Sequence, residues 1–411
     1  MNWLNVSDTH DFSIHNLPYG VFDRDGRPTP GVAFGDHIID LRTCLSKGLL
    51  SNLNLPSDVF ESDTLNNFIA LGKPEWSALR KWMQDELNTV NSSLHQSQKE
   101  ILVDRLSSRM YLPVQIGDYT DFYSSIEHAT NVGIMFRDPA NALLPNWKHL
   151  PVGYHGRASS IIISDTDVIR PKGQTLPPGA ETPVFGPTKR LDFELEMAFI
   201  VGRENDLGRS INVDDAEDYI FGMVVFNDWS ARDIQKWEYV PLGPFLAKNF
   251  ASTISPWIVT MEALAPFKSD KIPQDPTVLP YLQSNKAGNY DIKLEVALDA
   301  PDGSSTVISK SNFKYMYWNM AQQLAHHTVN GCNVRVGDMM ASGTISGKDP
   351  NSYGSMLELS WSGKNPIELS NGETRTFIND GDVVSMKARC ENGTIGIGFG
   401  EARGKILPAL D

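Results

Sequence analysis

Residues 192–199, with the sequence DFELEMAF, alternate acidic and apolar side chains with the two-residue period of a β-strand. On such a strand, Asp192, Glu194 and Glu196 would share one face, and the apolar side chains would share the other. Neighbouring carboxylates repel each other, and burying them without a partner is costly. The run therefore predicts one of two structures: a strand with a solvated acidic face, or a strand whose carboxylates bind a hard cation such as calcium or magnesium.

Composition excludes several classes of protein. The 411-residue chain is 41% apolar and 21% charged, which is typical of a globular protein with two or three domains. Its net charge of −14 argues against nucleic acid or an anionic membrane as a partner. No segment approaches the roughly 20 apolar residues that span a bilayer, and no secretory pattern opens the chain. Three cysteines far apart in the sequence fit a reducing compartment, so we expect a cytoplasmic protein.

Local patterns predict two domains with a boundary near residue 115. Residues 20–22 and 32–34 have the apolar, turn-flanked pattern of a β-hairpin. Residues 74–88 predict a helix, because Pro74 suits its first turn and apolar residues recur with helical spacing. A polar stretch follows this helix, and a short apolar passage then leads into a second unit. We therefore predict a first domain over residues 1–115 and a second over residues 116–411.

The second unit has mainly the patterns of β-structure. Residues 292–298 alternate apolar and polar side chains, which is typical of a half-buried strand, and residues 221–226 form a short apolar run that predicts a buried strand. Residues 315–329 predict a helix that ends before Asn330 and Gly331. Strand and turn patterns fill the C-terminal part of the chain.

Residues 227–239 carry a second unusual pattern. Asp228, Arg232, Gln235 and Tyr239 recur at spacings of four, three and four residues, so a helix would place them on one stripe. An acid, a guanidinium, an amide and a phenol on one stripe indicate either a solvated helix face or a functional group of side chains at a strand-to-helix junction. The pattern alone leaves both interpretations open.

Residues 116–128 place Asp121, Tyr123 and His128 within a short span. A neutral histidine can act as a general base near neutral pH, because its unperturbed pKa is ~6.5. A single histidine is also frequently structural, so His128 has two interpretations. His326 and His327 are adjacent, and neighbours on a helix point in different directions, so we interpret this pair as structural.

Several long motifs connect these observations to a known family. They are residues 116–137 (IGDYTDFYSSIEHATNVGIMFR), 150–160 (LPVGYHGRASS), 191–196 (LDFELE), 226–235 (FNDWSARDIQ), and 341–347 with 355–358 (ASGTISG and SMLE). Together they closely resemble the fumarylacetoacetase family of fumarylacetoacetate hydrolases. The resemblance extends along nearly the whole chain, including its N-terminal part.

The resemblance implies a mainly β fold of the α+β class, with an N-terminal SH3-like barrel followed by a larger mixed β-roll domain. It implies a homodimer that needs Ca²⁺ or Mg²⁺ and hydrolyses the carbon–carbon bond of 4-fumarylacetoacetate, a diketo diacid. The products would be fumarate and acetoacetate, in the last step of tyrosine and phenylalanine degradation. The alternatives are another β-diketone or acylpyruvate hydrolase or decarboxylase on the same scaffold, and a non-catalytic metal-binding β-protein.

The resemblance also implies metal ligands. The main ion would be bound by four carboxylates from three separate segments, namely Asp121, Glu194, Glu196 and Asp228. A second, structural magnesium is implied near Asp228, Lys248 and Ser252. Under this interpretation, two of the three acids in residues 192–199, Glu194 and Glu196, bind a cation that offsets the repulsion between them.

Further residues receive catalytic roles from the same resemblance. His128 is the implied base that activates water, and Glu358 orients it. Arg232, Gln235 and Lys248 are the implied donors to the developing oxyanion. The implied substrate contacts are Tyr123, Arg137, Gln235, Tyr239 and Thr344.

Overall fold

The computed structural model describes residues 2–411, and its N-terminal strands form a small antiparallel sheet. Tyr19–Arg24 and Arg27–Phe34 pair as the predicted hairpin, closed by a turn in which Asp25 and Gly26 have φ values of +55° and +83°. Positive φ at both central positions is the geometry that suits the twist of a two-residue hairpin. The five strands lie in the order Leu102–Asp104, His37–Asp40, Arg27–Phe34, Tyr19–Arg24 and Met110–Tyr111.

Helices cover this N-terminal sheet. The predicted helix runs from Lys73 to Asn88 and buries its whole apolar stripe, Trp76, Leu79, Met83 and Leu87. The shorter helices of this part are Leu41–Ser46, Asn66–Ile69, Ser93–Gln96 and Gln98–Ile101.

An eight-stranded mixed sheet forms the centre of the molecule. Seven of its strands lie in the order Gly153–His155, Tyr119–Phe122, Met339–Ala341, Leu195–Val201, Ile220–Asp228, Ser252–Ile254 and Ile161–Ile163, and Val259–Thr260 also pairs with Ile220–Asp228. The predicted buried strand at residues 221–226 is thereby confirmed and extended at both ends. A second, five-stranded sheet lies in the order Ser305–Asn312, Lys293–Asp299, Val383–Glu391, Gly396–Leu407 and Val168–Ile169.

Short two-stranded ladders and helices connect the two large sheets. The ladders pair Lys172–Thr175 with Val184–Pro187, Leu191–Asp192 with Ser230–Ala231, Lys268–Ser269 with Asn289–Tyr290, and Ile367–Glu368 with Thr374–Arg375. The α-helices are Ile126–Phe136, Arg232–Glu238, Met261–Leu264, Met320–Thr328 and Met356–Leu359. The 3-10 helices are Pro139–Asn141, Ala158–Ser160, Ala216–Tyr219, Ala265–Phe267, Pro280–Leu282, Phe313–Tyr315 and Pro350–Ser352.

The central sheet is buried on both faces, which explains why its strands are so apolar. Along Leu195–Val201, Met197 and Phe199 pack into the core shared with the five-stranded sheet. Ala198 and Ile200 pack on the opposite face, in the core shared with the N-terminal sheet. Period-two alternation therefore sends successive side chains into two different cores, and Glu196 points to the same face as Ala198.

The run at residues 192–199 differs from the single strand that the alternation predicts. Leu191–Asp192 pairs with Ser230–Ala231 in its own ladder, and the strand of the central sheet begins only at Leu195. The predicted solvated acidic face is wrong, because Asp192 and Glu196 are 0% exposed and Glu194 is 6% exposed. The alternating pattern correctly predicted that the acids are close together. It did not predict that Asp192 belongs to a two-stranded ladder, whereas Leu195 begins a strand of the central sheet.

The stripe predicted from residues 227–239 is not a helix face. Asp228 is the last residue of strand Ile220–Asp228, and the helix begins at Arg232 and ends at Glu238. Asp228 is 1% exposed, so a fully solvated stripe is also wrong. The later predicted helix begins at Met320 rather than Tyr315, because Asn319 caps it with a reciprocal pair of hydrogen bonds to Gln322.

The mainly β, α+β fold class with its additional N-terminal sheet is confirmed. The alternating strand expected at residues 292–298 is confirmed as Lys293–Asp299, with alternate residues buried. No helix within residues 2–411 has the length and apolar character that crossing a membrane requires.

Candidate active site and metal centre

Three strands of the central sheet bring four carboxylates together. Asp121 lies on Tyr119–Phe122, Glu196 lies on Leu195–Val201, and Asp228 ends Ile220–Asp228. Glu194 precedes its strand by one residue and is held there by a bridge to Ser355. One carboxylate oxygen from each of the four acids lies within 4.8 Å of the other three. We call these four residues the acidic cluster.

Two members of the acidic cluster have oxygens without a partner. Asp121 Oδ1 and Glu196 Oε1 accept no hydrogen bond from any group in residues 2–411. Burial, and then repulsion from neighbouring carboxylates, raise the pKa of both Asp121 and Glu196 well above their ordinary values. A hard divalent cation would take such oxygens as ligands and remove the repulsion, so the donor set fits a divalent metal ion.

Gly343 supplies the protein's own contact to Glu196. Its backbone N–H donates to Glu196 Oε2 at 2.9 Å. Gly343 has a φ of +79°, and a Cβ at this position would collide with the carbonyl oxygen of Phe122. Only glycine fits between the strand that ends at Phe122 and the strand that carries Glu196. Gly343 therefore places an amide donor at the edge of the acidic cluster.

The other two members of the acidic cluster are paired with cations. Lys248 Nζ donates to Glu194 Oε2 and lies 2.6 Å from Asp228 Oδ2, while Arg232 Nη1 lies 2.8 Å from Glu194 Oε1. Burial alone would raise the pKa of Glu194, but the positive charges of Lys248 and Arg232 outweigh it and lower the pKa to about 2. Burial opposes protonation of Lys248, yet Asp228 and Glu194 raise its pKa above the ordinary value. Glu194 and Lys248 therefore remain ionised, because each is stabilised by the opposite charge of the other.

Ser252 and Tyr154 complete the surroundings of Asp228. Ser252 Oγ donates to Asp228 Oδ1 at 3.1 Å, and the Tyr154 hydroxyl donates to Asp228 Oδ2 at 3.0 Å. Asp228, Lys248 and Ser252 are thus neighbours, as the resemblance implied. A protonated lysine has no lone pair for a metal ion, so the ammonium group of Lys248 acts here as a counter-charge.

His128 and Glu358 form a buried pair beside the acidic cluster. Ser125 caps the helix Ile126–Phe136 and places His128 in its first turn. His128 Nδ1 lies 2.6 Å from Glu358 Oε2, and Ser355, which donates to the same carboxylate, is bridged to Glu194 of the acidic cluster. Because a carboxylate accepts hydrogen bonds, Glu358 favours the tautomer with the proton on Nδ1. The Nε2 atom is then the one available to take a proton.

Glu358 is saturated with donors. Besides His128, it accepts hydrogen bonds from Asn131 Nδ2, Ser346 Oγ and Ser355 Oγ, each at 2.9 Å. Burial would raise the pKa of Glu358, but His128 and these hydrogen bonds lower it below the ordinary value. The carboxylate therefore stays ionised next to the imidazole although it is only 1% exposed.

The residues expected to contact substrate lie at different depths. Thr344 is buried, and Tyr123 is half-buried with its ring edge-on to His128 at 5.3 Å between centroids. Gln235 Oε1 accepts a hydrogen bond from Arg232 Nη1 at 3.2 Å. Arg137 and Tyr239 are exposed, and no hydrogen bond or ion pair in the described part of the chain joins either of them to the acidic cluster.

The sequence did not predict several residues that bind Glu358 and Asp228. Asn131, Ser346 and Ser355 hold Glu358, and Tyr154 holds Asp228. All four lie inside or between the long motifs quoted above, but no spacing rule distinguishes them from structural polar residues. The interpretation of His326 and His327 as structural agrees with their contacts, to the Tyr281 hydroxyl and to Thr120 Oγ1 respectively.

Comparison with known proteins identifies the family. The model of the fumarylacetoacetate (FAA) hydrolase C-terminal domain matches residues 119–407, and that of the fumarylacetoacetase N-terminal domain matches residues 15–113. The fumarylacetoacetase of Homo sapiens is 54% identical over 418 residues, with 100% of this chain and 99% of that protein covered. This chain belongs to the fumarylacetoacetase family. The family member of Arabidopsis thaliana is 52% identical over 416 residues, covering 99% of this chain and 98% of that protein.

Solved structures with low sequence identity to this chain share its fold. A fumarylacetoacetate hydrolase from psychrophilic Exiguobacterium antarcticum has a TM-score of 0.54 at 18% identity, over 95% of this chain and 99% of that one. A maleylpyruvate hydrolase from Sphingobium sp. SYK-6, solved with manganese(II) and pyruvate, has a TM-score of 0.51 at 15% identity, over 96% and 100%. At these identities, the likeness concerns the fold.

Proposed function

We propose that this protein hydrolyses the carbon–carbon bond of 4-fumarylacetoacetate to give fumarate and acetoacetate. The observation that carries the proposal is a buried acidic cluster directly beside the His128–Glu358 pair. Full-length similarity to fumarylacetoacetases from animals and plants supports the same reaction. Hydrolysis of a ketone's carbon–carbon bond expels a carbanion, so it needs both an activated water and strong stabilisation of negative charge.

Asp121, Glu194, Glu196 and Asp228 are the residues that would hold a divalent cation, which we propose is Ca²⁺ or Mg²⁺. Their oxygens are the ligands that both ions prefer, and two of those oxygens have no partner in residues 2–411. A bound dication supplies Lewis acidity toward the diketone oxygens. We propose further that Asp228 and Ser252, with Lys248 as their neighbour, take part in a second magnesium site.

His128 is the proposed general base. Its Nε2 takes a proton from water, and Glu358 holds the imidazole in place and stabilises the imidazolium that forms. The hydrogen bonds from Asn131, Ser346 and Ser355 keep Glu358 ionised for this task. Because water is the attacking group, the reaction needs no activated serine or cysteine.

Arg232 is the best-placed donor to the developing oxyanion. Its side chain is 8% exposed, its Nε binds Asp192 and its Nη1 binds Glu194, yet its Nη2 has no partner within residues 2–411. A buried guanidinium nitrogen with free N–H bonds is a ready donor to new negative charge. Lys248 adds a second positive charge, and Gln235 lies against Arg232.

The proposed substrate is a dianion in a protein of net charge −14, so its binding needs local positive charge. We propose that exposed Arg137 meets one of its carboxylates, and that Tyr123, Gln235, Tyr239 and Thr344 complete the substrate contacts. Half-buried Tyr123 beside His128 supports this arrangement. Burial raises the pKa of the Tyr123 hydroxyl above its ordinary value and the positive charge of Arg137 opposes that rise, which supports the proximity of the two side chains.

We also propose a cytoplasmic homodimer with domains over residues 1–115 and 116–411. The ends of the two family models, at residue 113 and at residue 119, support this division. Fourteen large apolar side chains remain exposed between residues 134 and 246, and six of them fall within residues 237–246. An exposed apolar segment of this kind supports a further contact surface.

A spectrophotometric assay tests the proposed function. The purified protein should consume the enol absorbance of 4-fumarylacetoacetate, lose this activity on chelation, and regain it with added calcium or magnesium. Acylpyruvate is assayed side by side, because an acylpyruvate hydrolase on the same scaffold is the alternative. Faster turnover of acylpyruvate, or full activity after exhaustive chelation, would refute the proposal.

A further inference from the structure

Asp192 is a buried carboxylate that belongs to neither the acidic cluster nor the His128–Glu358 pair. It is 0% exposed and accepts three N–H groups. Arg232 Nε lies 2.8 Å from its Oδ2. The backbone N–H of Met356 donates to Oδ1 at 2.7 Å, and that of Leu357 donates to Oδ2 at 3.0 Å. Both oxygens are thus used by donors of the protein, whereas Asp121 Oδ1 and Glu196 Oε1 have no partner within residues 2–411.

The donors to Asp192 come from two parts of the proposed catalytic machinery. Met356 and Leu357 open the short helix Met356–Leu359, which carries Glu358. The first amides of a helix have no partner within the helix, so the carboxylate anchors this segment directly. The third donor, Arg232, has Glu194 on its Nη1, and its Nη2 is the group left free.

The backbone reinforces this connection. Asp192 lies opposite Ser230 in the ladder Leu191–Asp192 with Ser230–Ala231, and Arg232 follows that ladder directly. One residue therefore joins three segments that are far apart in the sequence: its own strand, the start of the Arg232 helix, and the Glu358 helix.

We propose that Asp192 is a positioning residue that sets Arg232 and Glu358 at a fixed separation and orientation across the reaction centre. The inference rests on the proposed function, because it assigns Asp192 to the donor of the oxyanion and to the support of the base. Asp192 fixes Arg232 through Nε so that Nη2 faces the reacting atoms, and it fixes Glu358 through the helix backbone. It does not ligate the metal ion.

The test is Asp192→Asn, which keeps the side chain's shape but removes the charge and replaces one acceptor with a donor. We expect kcat for 4-fumarylacetoacetate to fall by roughly 10- to 100-fold, because small displacements of catalytic groups have effects of that size. KM and calcium affinity, the latter measured by calorimetric titration, should change by less than about threefold, since substrate and metal contacts stay in place.

Asp382→Asn is the matched control. Asp382 is also 0% exposed, binds Arg375 with both oxygens at 2.9 and 3.0 Å, and accepts the backbone N–H of Asn379 at 2.8 Å. The Asp382→Asn variant therefore loses a buried ion pair equivalent to that of Asp192 with Arg232, but Arg375 has no proposed catalytic role. We expect a similar decrease in thermal stability in both variants, and unchanged kcat only in Asp382→Asn.

The outcomes separate the inference from the proposed function. Wild-type protein without turnover would refute both, whereas active wild type with an unchanged kcat in Asp192→Asn would refute only the role of Asp192. Equal losses of kcat in the two variants would assign Asp192 a merely structural role and also overturn it. Should Asp192→Asn fail to fold, Asp192→Glu retains the charge but displaces it by one methylene, and the same split between kcat and KM is expected.

Discussion

Glu358 and Glu196 are both buried side-chain carboxylates of the proposed reaction centre, but their surroundings differ. Glu358 accepts hydrogen bonds from His128, Asn131, Ser346 and Ser355. Glu196 accepts one, from the backbone of Gly343, and its Oε1 has no partner among the residues that the structure describes. The pKa of Glu358 is lowered in spite of burial, whereas burial and neighbouring carboxylates raise that of Glu196.

This difference distinguishes a carboxylate whose charge the protein itself compensates from one whose charge a bound cation would compensate. A buried carboxylate is stable as an anion only when donors or positive charge replace the water that it has lost. Four donors do so at Glu358 without any further component. At Glu196 and Asp121, one oxygen of each carboxylate has no donor within residues 2–411. Oxygens of this kind are available as ligands to a metal ion.

The largest effect is expected for His128→Ala, which removes a partner of the compensated carboxylate, Glu358. Without the general base, kcat should fall by roughly 10³-fold. Calcium affinity in a calorimetric titration should stay nearly unchanged, because His128 is not one of the proposed ligands. A variant that keeps more than a few per cent of wild-type kcat would contradict the assignment. His326→Ala, which removes a histidine bonded to Tyr281, is the control and should leave kcat unchanged.

Glu196→Gln and Glu194→Gln test the acidic cluster from its two sides. Glu196→Gln removes an uncompensated charge, so calcium affinity should fall by at least roughly tenfold while the metal-free protein becomes no less stable. Glu194→Gln also weakens calcium binding, but it leaves Lys248 and Arg232 short of a buried partner and should lower the Tm of the metal-free protein.

Calorimetry and thermal melts with and without calcium measure both effects. Glu217→Gln, which affects an ion pair with Lys268 outside the cluster, is the control for loss of one carboxylate. Unchanged calcium affinity in Glu196→Gln, or a larger loss of metal-free stability there than in Glu194→Gln, would contradict the division of the cluster into compensated and uncompensated halves.

The pH dependence of stability should reveal the uncompensated half. Burial and like charges raise the folded-state pKa of Asp121 and Glu196 above the ordinary values of 3.8 and 4.5. A raised pKa contributes stability that is fully present below the unfolded-state value and is lost as pH rises through the folded-state value. The metal-free protein should therefore lose stability, relative to the calcium-saturated protein, as pH rises above about 4.5.

Thermal melts at a series of pH values provide the measurement. The difference in Tm between calcium-saturated and chelated protein should widen by several degrees as pH rises, and Glu196→Gln should reduce the widening. Glu194 behaves oppositely, because its pKa is lowered from 4.5 to about 2, so its contribution is lost only as pH falls below 4.5 toward 2. A difference in Tm that is independent of pH would show that the cluster needs no cation to balance its charge.

The smallest effect is expected for Ser346→Ala. Glu358 would keep three of its four donors, so kcat should fall by about tenfold or less, as the loss of one hydrogen bond to a charged group predicts. Ser385→Ala removes a matched serine–carboxylate hydrogen bond, to Glu401 at 3.0 Å, and should leave kcat unchanged. A loss as large as that of His128→Ala would mean that Glu358 is not held redundantly.

Patterns in the sequence were sufficient for the elements with a strong period. The helix at residues 74–88 and the strand at residues 292–298 were predicted because their apolar residues repeat every 3.6 or every two positions, and the strand at residues 221–226 because it is a short uninterrupted apolar run. The long motifs were sufficient for the family, and the family for the fold class. Failures occurred where a tertiary constraint interrupts a local period, as at residues 192–199 and at Asp228.

The order of residue types around residue 195 was enough to show which side chains carry charge and that acidic and apolar residues alternate there. Contacts between distant segments settle that Asp192 binds Arg232, that Glu194 binds Lys248, and that Glu196 has an unpartnered oxygen within residues 2–411. Alternation depends on neighbouring residues, whereas the charge of a buried carboxylate is compensated by residues far away in the chain. His128 and Glu358, for example, are separated by 230 positions in the chain.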